Sequence, residues 1–219
     1  MGWEPTHVLW STSPNSPGGS PNRKATANDL RVSRRALLTG AFVVLAERKG
    51  ADAVAPVNLE YHDGYLYWPG GQTRAAVGAA GVSSAKHEGD KATPAGKFPL
   101  PFGMWRPDRL QLPDTSLRMK PLREAHAWVD DPDDPKYNQL VELPYPAHTE
   151  EMWRADGIYD LLAVVGYNIN PTRPGAGSAI FLHIARPNFA PTEGCVAIER
   201  SALLNLIPLL GPESTLTIR

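Results

Sequence analysis

Beyond residue 56 the chain falls into short stretches in which apolar and polar positions alternate or run together. Asn58-Leu59-Glu60-Tyr61 and Tyr65-Leu66-Tyr67-Trp68 flank His62-Asp63-Gly64. An Asp-Gly pair between two alternating runs predicts a β-hairpin. Thr73 to Val77 predicts a further strand, ended by Gly78 and Gly81. Lys86 to Gly96 is rich in turn residues and reads as a loop, followed by a short strand from Lys97 to Leu100. Leu161 to Tyr167 and Ser178 to Ile184 are continuous apolar, β-branched runs, the pattern of central strands. Glu199 to Leu210 predicts a helix with Leu203, Leu206, Ile207 and Leu210 on one face, ended or kinked by Pro208. Leu216 to Ile218 predicts a closing strand. Residues 101–157 keep no period, carry eight prolines and hold the acidic run Asp130-Asp131-Pro132-Asp133-Asp134. That stretch reads as an insertion or lid-like excursion on a sheet scaffold.

The first 55 residues have a different texture. Residues 1–30 are rich in Ser, Pro, Asn and Gly and read as disordered. Ser33-Arg34-Arg35-Ala36-Leu37-Leu38 then precedes a modestly apolar run ending at Ala46. A paired arginine before such a run is the pattern of a twin-arginine export signal, with small-residue cleavage sites near 53–55. The run is too short to span a bilayer, so the mature protein is expected to carry no stable membrane span. The expected organisation is an N-terminal export segment over 1–55 and one folded domain over 56–219, located in the periplasm or cell envelope.

Composition sharpens this in two ways. A net charge of -1 over 219 residues gives no field that favours nucleic acid or anionic lipid. The single cysteine, Cys195, cannot form an internal disulfide, and an unpaired thiol in an exported protein invites a functional reading. No two of the six histidines stand at short metal-ligand spacing, and with one cysteine no metal site and no cofactor are expected.

The chemistry concentrates between Ile180 and Ile198. His183 ends a buried apolar run, a proline-containing loop follows, and Thr192-Glu193-Gly194-Cys195-Val196 leads into a short apolar segment. A loop of this length can return and bring the two ends together. Cysteine attacks an acyl carbon as thiolate, and an imidazole can take its proton and return it to a leaving group. Gly194 permits a sharp turn, and N–H groups around Gly194 and Cys195 could hold an oxyanion. From spacing alone, a buried strand histidine beside a small buried thiol explains the pair equally well.

These residues resemble a known signature. His183 followed by Thr192-Glu193-Gly194-Cys195-Val196 is similar to the catalytic motif of L,D-transpeptidases of the YkuD type. Lys86 to Phe98, Trp153-Arg154, Tyr159-Asp160, Gly166-Tyr167-Asn168 and Gly177 to His183 resemble further stretches of one branch of that family. The resemblance implies a mainly β fold, a mixed β-sandwich with a few short helices. It implies peptidoglycan stem peptides as partners and a cofactor-free, monomeric enzyme. In that reaction the cysteine attacks the carbonyl before the terminal D-alanine of a stem tetrapeptide, a thioester forms, and an amine of a second stem takes the acyl group. It assigns Cys195 as nucleophile and His183 as base and acid, and in the family the third member is usually a backbone carbonyl. Thr192, Glu193, Val196, His87, Arg186 and Tyr167 are expected to bind substrate. One position departs: many members carry arginine two residues after the cysteine, where this chain has Ala197. Arg186 or Arg200 are the candidates to compensate, and a hydrolase of the same fold, or a non-enzymatic wall-binding module, are the alternatives.

Overall fold

The computed structural model describes residues 56–219; the twin-arginine pattern and the boundary near 53–55 lie outside the described residues. Strand β1 (Asn58–His62) and strand β2 (Tyr65–Trp68) form the expected hairpin. Asp63 and Gly64 turn it with φ of 52° and 81°, the left-handed pair that matches strand twist. Strand β3 (Gly71–Ala76) pairs back on β2. Strand β4 (Val82–Ser83) follows, and the predicted loop from Lys86 to Gly96 holds β5 (Thr93–Pro94), which pairs with β4 in parallel. Strand β6 (Gly96–Pro99) follows.

Residues 101–157 are not one structureless excursion. Strands β7 (Gly103–Trp105) and β8 (Met119–Pro121) join the main sheet. Strands β9 (His126–Val129), β10 (Leu140–Glu142) and β11 (Thr149–Glu151) form a separate three-stranded sheet. Strands of three or four residues between prolines are too short to leave a readable period. Strand β12 (Leu161–Val164) and strand β13 (Phe181–Ile184) are the predicted central strands. The start of the second is delayed because Ala179, at φ of 50°, leaves extended geometry. Strand β14 (Val196–Ile198), helix α1 (Arg200–Leu206) and strand β15 (Thr215–Ile218) complete the chain. A 3-10 turn at Ile207–Leu209 continues α1 around Pro208, which lacks an N–H to extend the helix.

The main sheet has the order β6-β15-β1-β2-β3-β14-β13-β12-β7-β8. Its first and second halves bury residues in the same cluster: Leu59, Leu66 and Leu216 from one, Leu161, Leu182, Val196 and Ile198 from the other. The sheet therefore curls over on itself, and α1 seals the cluster with Leu203 and Leu206. The fold is mainly β, as expected. Each of these aliphatic side chains contributes roughly 2 kcal/mol by leaving water.

A second, smaller cluster lies on the other face of β12 and β13. Met104, Leu162, Val164 and Phe181 meet Trp128 from the three-stranded sheet there. The Trp128 and Phe181 rings pack edge to face at 5.1 Å. Asn138, in the turn before β10, fastens the small sheet to this face. Its Oδ1 accepts from Trp128 Nε1 (2.9 Å) and from the Ala179 N–H (3.1 Å). Its Nδ2 donates to the carbonyls of Tyr167 (3.2 Å) and Asn168 (2.8 Å). Among the described residues no helix is long and apolar enough to cross a membrane.

Candidate active site

Strands β13 and β14 run parallel, with Leu182 opposite Val196 and His183 opposite Ala197. Because side chains alternate across a strand, Leu182, Ile184, Val196 and Ile198 enter the main core. His183 and Cys195 take the opposite side and line one cavity of about 250 Å3. Tyr159, Thr192 and Arg186 line it too, and Glu150 of β11 and Asp130 after β9 bring the small sheet to its wall.

Burial controls the thiol. The Phe181 N–H donates to Cys195 Sγ at 3.3 Å, and the thiol donates to the Ala179 carbonyl at 3.2 Å. The strained Ala179 backbone, held by Asn138, aims that carbonyl. Burial pushes the Cys195 thiol up to about 12. The Phe181 N–H, Lys86 and the Tyr159 hydroxyl oppose the rise, and the Glu150 carboxylate adds to it.

His183 is oriented by backbone alone. Its Nδ1 lies 2.9 Å from the Ile184 carbonyl. A carbonyl only accepts, so Nδ1 carries the proton and Nε2 is left with a lone pair. Burial pushes the imidazole down to about 4; the Ile184 carbonyl works against this and Arg186 with it. At neutral pH the two groups therefore rest as neutral thiol and neutral imidazole. The Tyr159 ring stands edge-on to His183 at 5.2 Å and to Phe181 at 5.6 Å, which fixes the imidazole plane.

These shifts predict a pH dependence of stability. His183 binds its proton less tightly folded than unfolded, so the stability is present above about pH 6.5 and is lost as pH falls through about 4. The shift from 6.5 to about 4 corresponds to roughly 3 kcal/mol. Unfolding midpoints followed by circular dichroism are expected to fall across that window, and His183→Gln to flatten the fall. Cys195 acts on the alkaline side, where stability is lost as pH rises from 9.0 towards about 12.

The turn into Cys195 is closed by Thr192. Its Oγ1 donates to the Cys195 carbonyl at 2.7 Å and accepts from the Gly194 N–H at 3.1 Å. That contact takes up the Gly194 N–H, which the sequence had suggested for an oxyanion. Gly194 has φ of 142°, and a Cβ there would stand 2.9 Å from the Ala92 carbonyl oxygen. Glycine is needed at this position for backbone shape and close approach.

The other expected substrate residues divide. Arg186, Thr192 and Glu193 line the cavity, and Glu193 also pairs with Lys91 at 3.3 Å. Val196 does not, because strand alternation turns it into the core. His87 is not among the lining residues: its side chain is 71% exposed, and it lies beside Asp90, whose other oxygen holds Lys86 at 2.6 Å. Tyr167 packs edge-on against Phe98 and donates to the Ala176 carbonyl, so it braces the loop before β13. Trp153 stacks under Arg106 at 3.3 Å and is likewise packing.

Ala197 is 1% exposed, between His183 on β13 and Ala76 on β3. Of the two candidate compensating arginines, Arg186 reaches the cavity, while Arg200 lies 3.8 Å from Asp160 outside it. Glu150 was missed by sequence reading. It sits in a three-residue polar strand with no pattern to mark it, yet it accepts from the Tyr159 hydroxyl at 3.0 Å inside the cavity. Glu88 accepts from Ser178 Oγ at 2.7 Å and from the Tyr137 hydroxyl, which ties the loop after β4 to the small sheet. Among the described residues no cluster of three or more His, Cys, Asp or Glu has the arrangement to hold a metal ion.

No curated protein and no solved structure matches the chain. The model of the YkuD family, described as the L,D-transpeptidase catalytic domain, matches residues 52–218. With three-quarters of the chain inside that match and a mainly β fold around it, the protein belongs to the L,D-transpeptidase catalytic domain family.

Proposed function

We propose that the protein is a peptidoglycan L,D-transpeptidase with Cys195 as nucleophile and His183 as its base and acid. The observation that carries this reading is the Nδ1 contact of His183 with the Ile184 carbonyl, on the cavity that Cys195 shares. It leaves Nε2 free to take a proton and dispenses with a carboxylate partner. The chemistry then runs as follows. The Sγ proton passes to Nε2 as sulfur bonds the carbonyl carbon that precedes the terminal D-alanine. The Cys195 N–H is the backbone donor proposed for the oxyanion. Collapse breaks the C–N bond, and Nε2 returns the proton to the departing D-alanine amine. An acceptor amine then attacks the thioester, gives a proton to Nε2, and sulfur leaves and is reprotonated.

The two neutral resting groups suit this order of events. A thiol and an imidazole this far apart in proton affinity do not form an ion pair unaided. The proton moves when the carbonyl carbon is there to take the sulfur. Carboxylates of Glu88, Asp130, Glu150 and Glu193 around the cavity, against the single Arg186, favour an amine over water as acceptor.

One observation favours a second reading. Ala197 fills the place of the arginine that many members carry, and a site lacking that cation could release the acyl group to water as an L,D-carboxypeptidase. Incubation of the protein with isolated sacculi, followed by mass spectrometry of muropeptides, separates the two. Cross-linked dimers are expected; tripeptide monomers alone would establish hydrolysis. Export through the segment over 1–55, with cleavage near 53–55, and a monomeric mature enzyme over 56–219 in the cell envelope complete the proposal.

A further inference from the structure

The proton transfers proposed above run between Cys195 and His183 and give Glu150 no part beyond its share of the charge around the cavity. Glu150 is nonetheless a carboxylate carried into the cavity by a strand of the small sheet, midway along β11 and opposite Trp128 of β9. Burial holds its carboxyl above the usual range; the Tyr159 hydroxyl, Arg154 and Arg186 pull the other way, and Asp130 reinforces the rise. Tyr159 is 6% exposed and its ring is locked between Phe181 and His183. Its hydroxyl donates to Glu150 Oε1 at 3.0 Å, in the same cavity that Cys195 lines.

We infer that Glu150 is a positioning residue that restrains the nucleophile: its carboxylate holds the Tyr159 hydroxyl and sets a negative charge against Cys195, so that neutralising Glu150 speeds the chemistry of the thiol.

The charged groups around the sulfur come from several elements. Glu150 of β11 disfavours the thiolate. Lys86, in the loop after β4, and the Tyr159 hydroxyl favour it. Lys86 is itself held by Asp90 at 2.6 Å, and that pair is nearly buried. His183 faces Arg186, Asp156 and Arg154 in addition. Among these groups Glu150 is the anion whose neutralisation both deletes a repulsion and weakens the hold on the Tyr159 hydroxyl. Two effects of the same sign follow from one substitution, whereas loss of Tyr159 acts in the opposite sense. A residue that merely supported the fold would have no such pairing of signs.

The inference rests on Cys195 being the working nucleophile, but its test does not need turnover. Cys195 is the only thiol in the chain, so alkylation by the small neutral reagent iodoacetamide reports its thiolate fraction directly. The rate constant is measured from pH 6 to 10 in the full-length protein and in Glu150→Gln and Tyr159→Phe. Glu150→Gln is expected to raise the rate at pH 7.5 about tenfold and move the profile by about one pH unit to the acid side. Tyr159→Phe is expected to lower the rate at least threefold and move the profile to the alkaline side. A rate in Glu150→Gln equal to or below that of the parent overturns the inference. So do profiles that move together, since loosened packing exposes the thiol equally in both. If Glu150→Gln does not fold, Tyr159→Phe, which keeps the ring packing, decides alone: a rate unchanged or raised rejects the idea. Shifted profiles with no muropeptide product would instead refute the proposed function and leave the restraint standing.

Discussion

Cys195→Ala is expected to abolish both adduct formation with a carbapenem and the production of cross-linked muropeptides. The residue provides the only thiol in the chain and lines the cavity together with His183, whose Nδ1 is taken by the Ile184 carbonyl. Loss of the attacking atom in a nucleophile–base pair lowers turnover by roughly 10³-fold or more. The fold should survive. The substitution removes one atom from a small cluster and frees one N–H and one carbonyl, those of Phe181 and Ala179. The intact mass after incubation with the β-lactam is the measurement: one adduct on the parent protein, none on the variant. An adduct on Cys195→Ala would end the assignment. Retained thermal stability beside lost acylation would separate chemistry from structure.

Asn138→Ala is expected to be the most damaging polar substitution in the domain. Asn138 is 3% exposed and uses both side-chain atoms twice, for Trp128, Ala179, Tyr167 and Asn168. Its removal leaves two donors and two carbonyls without partners in the interior, each at about 1–3 kcal/mol if water does not enter. Asn138 also has φ of 59°, where alanine is strained by about 1 kcal/mol. A loss of about 4 kcal/mol in urea unfolding follows, enough to threaten a domain of ordinary stability. Asn138→Gly relieves the backbone part and not the rest, so it should recover about 1 kcal/mol. Acylation should weaken in both, because Ala179 loses the anchor that aims its carbonyl at Sγ. Stability equal to the parent's in Asn138→Ala would show that the small sheet docks by apolar contact alone.

Much of the scaffold was legible because long elements carry their own period. The Asp63-Gly64 hairpin, the apolar runs at Leu161 and Phe181, and the helix halted near Pro208 each state their geometry within a dozen residues. The stretch from 101 to 157 was not legible for a physical reason. Its five strands are three or four residues long, pair at a distance and alternate over too few positions to be read. Part of the main sheet and one wall of the cavity therefore stayed hidden. The site divided along the same line. Cys195, His183, Thr192 and Glu193 lie in one continuous signature, and Arg186 lies within its loop. Glu150 comes from a polar strand some forty residues away, and only the folded chain brings it to Tyr159. Val196 was misjudged by the simplest rule available: its neighbour Cys195 faces the cavity, so Val196 must face away.

The strand order β6-β15-β1 has a consequence for how the domain comes into being. The final strand sits between the first strand and β6, in parallel with β1 and antiparallel to β6. During synthesis, β1 and β6 are made long before the segment that joins them, and at about 5–20 residues per second they wait several seconds for it. Until Ile218 leaves the ribosome the two stand with open edges and an unfilled gap. The domain can close only once β15 has emerged, and in that interval its half-made sheet depends on being kept from other chains.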